Sequence, residues 1–175
     1  MSVAVFAGGC FWCTEAVFKR LKGVSIVKPG FTGGHIKNPA YREVVTERTG
    51  HAEAVYIEFD TSQITYLKLL EVFFATHDPT TLNRQGADKG THYRSAIFTI
   101  SENQKQQAID FVKILEQEKV FNDPIVTQIC DFEAFYDAED YHFNYYDLNT
   151  EQPYCNYVIS PKIKKLENYF SDILE

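Results

Sequence analysis

The stretch Ser2-Val-Ala-Val-Phe-Ala-Gly-Gly-Cys-Phe-Trp-Cys-Thr-Glu15 carries the reading of the fold. From Ser2 to Ala7, small and apolar side chains alternate, which is the period of a strand. Gly8 and Gly9 break that strand. Phe11 to Leu21 then sets Phe11 and Phe18 seven apart and Val17 and Leu21 four apart, a helical spacing. Gly23 ends the helix. Further out, Val24 to Phe31 reads as a second strand and Glu53 to Phe59 as a third. Ile64 to Thr76 reads as a second helix with Leu67, Leu70 and Phe74 on one face, and Arg94 to Ile100 as a fourth strand. Strand, helix, strand, strand, helix, strand is the split βαβ order. It predicts an α+β fold with a ferredoxin-like core, a mainly antiparallel sheet, and helices on one face.

Two polar loops, 32–50 and 77–93, interrupt this order. Beyond it, Ser101 and Gln104 predict a capping box for a helix carrying Ala108, Phe111, Val112 and Leu115. Ile125 to Cys130 reads as a short strand, and 138–148 and 161–173 as further helical stretches. The 175 residues fit one domain. Its core is expected over about 1–130. Residues 131–175, poor in apolar runs, are expected to wrap over it as a long C-terminal tail that carries Cys155.

Hydrophobic residues at 45% and charged residues at 23% suit a globular chain, and 15% aromatics permit a sizeable core. A formal charge of −7 repels phosphate backbones, and no Lys/Arg cluster offsets it, so nucleic acid is not an expected partner. No apolar run approaches the ~20 residues that span a bilayer. Residues 1–9 lack a basic n-region and read as a strand, not a signal peptide. A monomer in the cytosol is the resulting expectation. There, the thiols Cys10, Cys13, Cys130 and Cys155 stand for packing, metal ligation or redox chemistry, since structural disulfides are disfavoured.

Cys10 falls where a strand ends and a helix begins. Free N–H groups and the helix dipole favour an anion there, which would lower the thiol pKa from its free value of ~8.5. A nucleophilic cysteine is one reading; a small buried hydrophobe beside a turn is the other. Phe11 and Trp12 follow directly and can line an apolar site or simply pack. Glu53 opens its strand. In an apolar cleft it would hold a proton near neutral pH and act as an acid; at an exposed strand end it would be an ordinary solvated carboxylate.

The motifs taken together resemble the A-type peptide methionine sulfoxide reductases along nearly the whole chain. They are Gly-Gly-Cys-Phe-Trp at 8–12, Gly-Phe-Thr-Gly-Gly at 30–34, Asn-Pro-Ala-Tyr-Arg-Glu-Val at 38–44 and Gly-His-Ala-Glu-Ala-Val at 50–55. His-Asp-Pro-Thr-Thr at 77–81, the run from Gln85 to Ser95, and the run from Phe135 to His142 complete the set. The resemblance implies that Cys10 attacks the sulfur of the S-sulfoxide, Glu53 protonates its oxygen, and Tyr41 and Tyr93 hydrogen-bond that oxygen. Phe11 and Trp12 would wall the substrate methyl, and Asp88 would help hold the site together. Cys10 would become a sulfenic acid, a second thiol would close a disulfide, and thioredoxin would reduce it, with no bound cofactor or metal.

Cys13 departs from the pattern, standing where much of the family has glycine, and His92 replaces a more usual glutamine. Cys155 matches a resolving cysteine of the family and, on a mobile tail, is the expected resolver. Cys13 is then a bystander or a redox relay. Cys130, ending an apolar strand, is expected to be buried and inert. Two alternatives use the cysteines otherwise: a thioredoxin-like disulfide oxidoreductase built on Cys10 and Cys13, and a zinc module using all four.

Overall fold

The computed structural model describes residues 1–175. Strand β1 (Ser2–Gly8) leads into helix α1 (Phe11–Phe18) and strand β2 (Val24–Thr32). A four-residue helix α2 (Tyr41–Val44) precedes β3 (Ala52–Phe59) and α3 (Tyr66–Ala75). A two-residue hairpin, β4 (Arg84–Gln85) with β5 (Asp88–Lys89), and a 3-10 turn over Thr91–Tyr93 lead to β6 (Ser95–Thr99). Then follow α4 (Glu102–Gln117), β7 (Gln128–Asp131), β8 (Phe135–Asp137), α5 (Tyr145–Leu148) and α6 (Ser160–Tyr169).

The main sheet has six strands in the order β7-β6-β1-β3-β2-β8. Its centre, β6-β1-β3-β2, pairs antiparallel throughout, as the split βαβ order requires. β8 joins β2 antiparallel, whereas β7 runs parallel to β6. The sheet is therefore mixed, and the expectation of a mainly antiparallel sheet is corrected to that extent. The parallel pair arises because α4 carries the chain back along β6 before β7 begins, the crossover that parallel neighbours need.

Both faces of the sheet are covered. Ala4 and Phe6 of β1 face the helices, while Val5 and Ala7 face the other way, as a period of two dictates. On the helical side, Phe6 stacks on Phe73 of α3 with ring centroids 4.8 Å apart and meets Phe18 of α1 at 5.5 Å. On the other side Val5, Ala7, Ala54 and Phe98 lie beneath Phe132 and Phe135 of the returning chain. The expected cap of α4 is half of a capping box. Ser101 Oγ accepts from Gln104 N at 3.2 Å, but Gln104 Oε1 takes the N–H of Ile100 instead of that of Ser101. Cys130 is half-buried in β7, not fully buried as expected.

No long C-terminal tail exists. Residues 140–173 form short helical elements packed on α1, and Ile159, Ile163 and Leu166 lie in the main core. Their spacing of four and three is helical, but few apolar residues surround them, so the segment reads as surface wrapping. Lys22 N donates to Ile173 O at 2.8 Å, pinning this segment to the turn between α1 and β2. Cys155 lies in a π-helical turn, Cys155–Ile159, with no solvent exposure.

Gly30 is where β8 docks on β2. A Cβ there would collide with the Tyr136 carbonyl oxygen and approach Phe135 Cζ at 2.5 Å. Gly30→Ala is expected to cost roughly 1–3 kcal/mol, the usual range for overpacking. Urea unfolding should show it as a lower midpoint, and an unchanged midpoint would mean that β8 is free to shift.

Candidate active site

The Gly-Gly turn has a steric cause. Gly9 has φ of +91°, and a Cβ on it would meet Gln85 Cβ at 2.7 Å. Only glycine lets β1 turn this sharply against the 77–93 loop and deliver Cys10 to the start of α1. Cys10 is the N-cap, with extended backbone (φ −60°, ψ 127°) and 8% exposure.

The N–H of Phe11, in the first turn, donates to Glu53 Oε1 at 3.2 Å. Glu53 is the second residue of β3 and is 1% exposed; its Oε2 is buried with no partner. Burial raises its pKa to about 8, with the Phe11 N–H pulling the other way. Glu53 therefore carries a proton at neutral pH, as the acid reading requires.

Cys10 and Glu53 share a small cavity of about 180 Å3. Phe11, Trp12, Tyr41, Tyr93, Asp88 and Tyr154 complete its lining. Phe11, Trp12, Tyr41, Glu53, Asp88 and Tyr93, the noncysteine residues expected at the site, thus converge on one cavity, and Cys13 adjoins it. Larger clefts lie elsewhere, among them one of about 530 Å3 between the end of α3 and α6 and one of about 660 Å3 beside Cys130. Neither contains Cys10 or Glu53, so chemistry favours the smaller one. Burial raises the Tyr41 hydroxyl to about 12 and the Tyr93 hydroxyl higher still, so both are donors across the physiological range. Asp88, on the β4-β5 hairpin, accepts a 2.6 Å hydrogen bond from Tyr154.

Cys13 N donates to Cys10 O at 3.0 Å in the first turn of α1. Cys13 is 3% exposed, and its sulfur is 3.7 Å from the Tyr154 hydroxyl. The charge is distributed differently from the sequence expectation. Burial, with Cys13 and Glu53 adding to it, raises the Cys10 pKa well above its ordinary value. The neighbouring Cys10 side chain lowers that of Cys13, helped by Lys162 and Tyr154. The expected fall at Cys10 is therefore reversed. The helix start contributes the N–H of Trp12, but desolvation outweighs it. All four cysteines are free thiols, and no three of the His, Cys, Asp and Glu side chains gather as metal ligands would.

Two residues of the site escaped the sequence reading. Tyr154, beside Cys155, carries no motif of its own, yet it bridges Cys13 and Asp88. His142 closes the 135–142 motif and accepts a 3.0 Å hydrogen bond from the Trp12 indole at Nδ1. Both lie in the segment that reads as a tail, where no local pattern marks Tyr154 for the cavity or His142 for the Trp12 indole.

Residues 2–173 match the family model for peptide methionine sulfoxide reductase. A relative from Sulfolobus acidocaldarius named peptide methionine sulfoxide reductase MsrA is 56% identical, covering 98% of this chain and 97% of its own length. One of the same name from Deinococcus radiodurans is 57% identical over 98% of this chain and 83% of its own. The crystal structure of reduced Mxr1 from Saccharomyces cerevisiae superposes with a TM-score of 0.80 at 32% identity, covering 88% of each chain. With a match that spans the strand-turn-helix holding Cys10 and the strand holding Glu53, the chain belongs to the peptide methionine sulfoxide reductase family.

Proposed function

We propose that this chain reduces the S epimer of methionine sulfoxide, free or within proteins, to methionine. In this reading it works as a cytosolic monomer without a bound cofactor, and thioredoxin restores its thiols. The observation that carries the reading is the buried Glu53, whose Oε2 has no partner in the cavity that holds Cys10 and whose pKa burial raises to about 8. A sulfoxide oxygen there would accept the missing hydrogen bond.

The chemistry follows from the residues. The Cys10 sulfur attacks the sulfoxide sulfur as its proton passes to Cys13. Negative charge grows on the oxygen, where the Glu53 proton and the Tyr41 and Tyr93 hydroxyls are available to it. Phe11 and Trp12 offer the methyl group an apolar wall. The substrate's sulfur–oxygen bond breaks and the protonated oxygen leaves as water, so that the Cys10 sulfur is bonded to a sulfonium. Water then attacks the Cys10 sulfur, the sulfur–sulfur bond breaks, methionine leaves, and Cys10 becomes a sulfenic acid with the proton returned to Glu53. A second thiol then displaces the oxygen as water. Two thiols and one sulfoxide thus give one disulfide, one methionine and one water.

Geometry favours Cys13 over the Cys155 expected from sequence as that second thiol. Cys13 is in the same helical turn as Cys10, while Cys155 is fully buried in a packed helical turn and not on a mobile segment. Tyr154 and Asp88 beside Cys13 can accept and pass on its proton. Cys155 would then serve at most as a later relay. A purely thioredoxin-like use of Cys10 and Cys13 leaves Glu53, Tyr41 and Tyr93 without a task.

The test is turnover of the two separated epimers with a thioredoxin system, followed by mapping of the disulfide left when reductant is withheld. The S epimer alone should turn over, and the bond should join Cys10 to Cys13. Cys13→Ser should release one methionine per chain and stall as a sulfenic acid, while Cys155→Ser should cycle near the wild-type rate. The reverse pattern would make Cys155 the resolver. Insulin reduction without sulfoxide turnover would favour the oxidoreductase alternative.

A further inference from the structure

We infer that Glu139 is a positioning residue for the oxygen side of the cavity: its carboxylate caps the start of α2 and so holds the Tyr41 phenol in place. This rests on the sulfoxide-reductase reading above, in which Tyr41 hydrogen-bonds the sulfoxide oxygen. Glu139 has no part in that reading and does not line the cavity.

Tyr41 reaches the cavity from α2, a helix of four residues. Isolated helices shorter than about 12 residues are marginal in water, so α2 must be held by what it touches. Its far end is anchored by Val44, which has no solvent exposure. Its near end lacks the usual anchor. The N-cap is Ala40, which has no side-chain oxygen to accept a first-turn N–H. Glu43 Oε1 reaches back to the Ala40 N–H at 2.8 Å, which leaves the Tyr41 N–H. Glu139 takes it on both carboxylate oxygens at 3.3 Å, from 98 positions along the chain.

That carboxylate comes from a fixed place. Just before it, β8 pairs with β2, and the buried Ala138 donates its N–H to Pro29 O at 2.9 Å. Just after it, the His142 N–H closes on Glu139 O at 3.0 Å and turns the chain. Tyr41 is otherwise restrained by ring packing, such as that against Phe11 with centroids 6.3 Å apart. Apolar contact is not directional, whereas the bond at the Tyr41 N–H is. It aims the phenol before substrate arrives, and donors aimed in advance are those that stabilise charge growing on an oxygen.

A double-mutant cycle in the full-length protein tests this, read as the rate of methionine release at saturating S-sulfoxide. Glu139→Ala should slow release roughly tenfold, the worth of a hydrogen bond to a charged acceptor, and leave KM within about twofold. Tyr41→Phe should slow release as well. In the Tyr41→Phe background, Glu139→Ala should cost less than about twofold more, because the hydroxyl it aims is gone. Glu139→Gln keeps a carbonyl acceptor and loses the charge. It should slow release about threefold, again only while the Tyr41 hydroxyl is present, and it supplies the same comparison if Glu139→Ala does not fold. Hydrogen exchange at the Tyr41 amide reads the bond itself and should speed up in Glu139→Ala. A merely structural Glu139 would slow release by the same factor with or without the Tyr41 hydroxyl. Such additivity, a wild-type rate in folded Glu139→Ala, or an unchanged Tyr41 exchange rate would overturn the proposal. Absence of S-sulfoxide turnover in the wild type would overturn the functional reading instead, while the exchange measurement would still report on the Glu139–Tyr41 bond.

Discussion

Cys10→Ser is expected to release no measurable methionine from the S-sulfoxide, a loss of at least about 10⁴-fold in single turnover. A serine hydroxyl has no appreciable ionised fraction and no strong base beside it. Its Oγ would sit at the same N-cap, 8% exposed, above the same Glu53, so binding should survive. The loss should therefore appear in the chemical step and not in the affinity for sulfoxide. Two controls separate this from general damage. Cys13→Ser should still release one methionine per chain, because it leaves the attacking sulfur in place. Thermal unfolding of Cys10→Ser should match wild type closely, since the exchange of sulfur for oxygen is nearly isosteric. Sulfoxide turnover by Cys10→Ser would move the nucleophile elsewhere, and Cys13 would be the next candidate because its pKa is lowered while that of Cys10 is raised.

That reversal shows where a sequence argument stops. The strand-Gly-Gly-helix reading placed Cys10 at the start of α1, and the structure has it there. Placement follows from local pattern, because alternation and a glycine pair act over a few residues. Proton affinity does not. It depends on burial and on Glu53, 43 residues away in the chain, so a helix-start argument alone gives the wrong sign. The four central strands were legible for the same local reason, and the parallel β7 was not, because direction is set by the α4 crossover and not by the strand's own residues. α2 and the β4-β5 hairpin were hidden within polar loops. Each is too short to show a period, yet they bring Tyr41 and Asp88 to the cavity. The C-terminal helices hid differently. Their buried residues are few, and their partner, α1, is more than 120 residues back in the chain. Tyr154 and His142 share that fate, since only the packing of this segment on α1 makes them neighbours of Cys13 and Trp12.

Glu53→Gln is expected to slow methionine release by ~10²–10⁴-fold, the typical worth of a positioned general acid. Glutamine fits the same space, can accept the Phe11 N–H through its carbonyl oxygen, and can donate a hydrogen bond to the sulfoxide oxygen. It has no acidic proton to transfer, so the variant isolates proton donation from hydrogen bonding. The pH dependence gives a second, independent signature. Burial raises Glu53 from an ordinary carboxylate value to about 8. The acid form is thus fully present below that pH and is lost as pH rises through it. In wild type, single-turnover release should fall above about pH 8. Ionisation of Cys10 acts in the opposite direction, since a rising pH favours its thiolate, and the two effects overlap in the wild-type profile. In Glu53→Gln only the thiol effect remains, so its rate should be flat or rising across the same range. The two profiles should converge at high pH, where wild type has also lost its proton donor. A wild-type rate that climbs steadily through pH 8, in parallel with a Glu53→Gln rate of similar size, would remove Glu53 from the proton-transfer step.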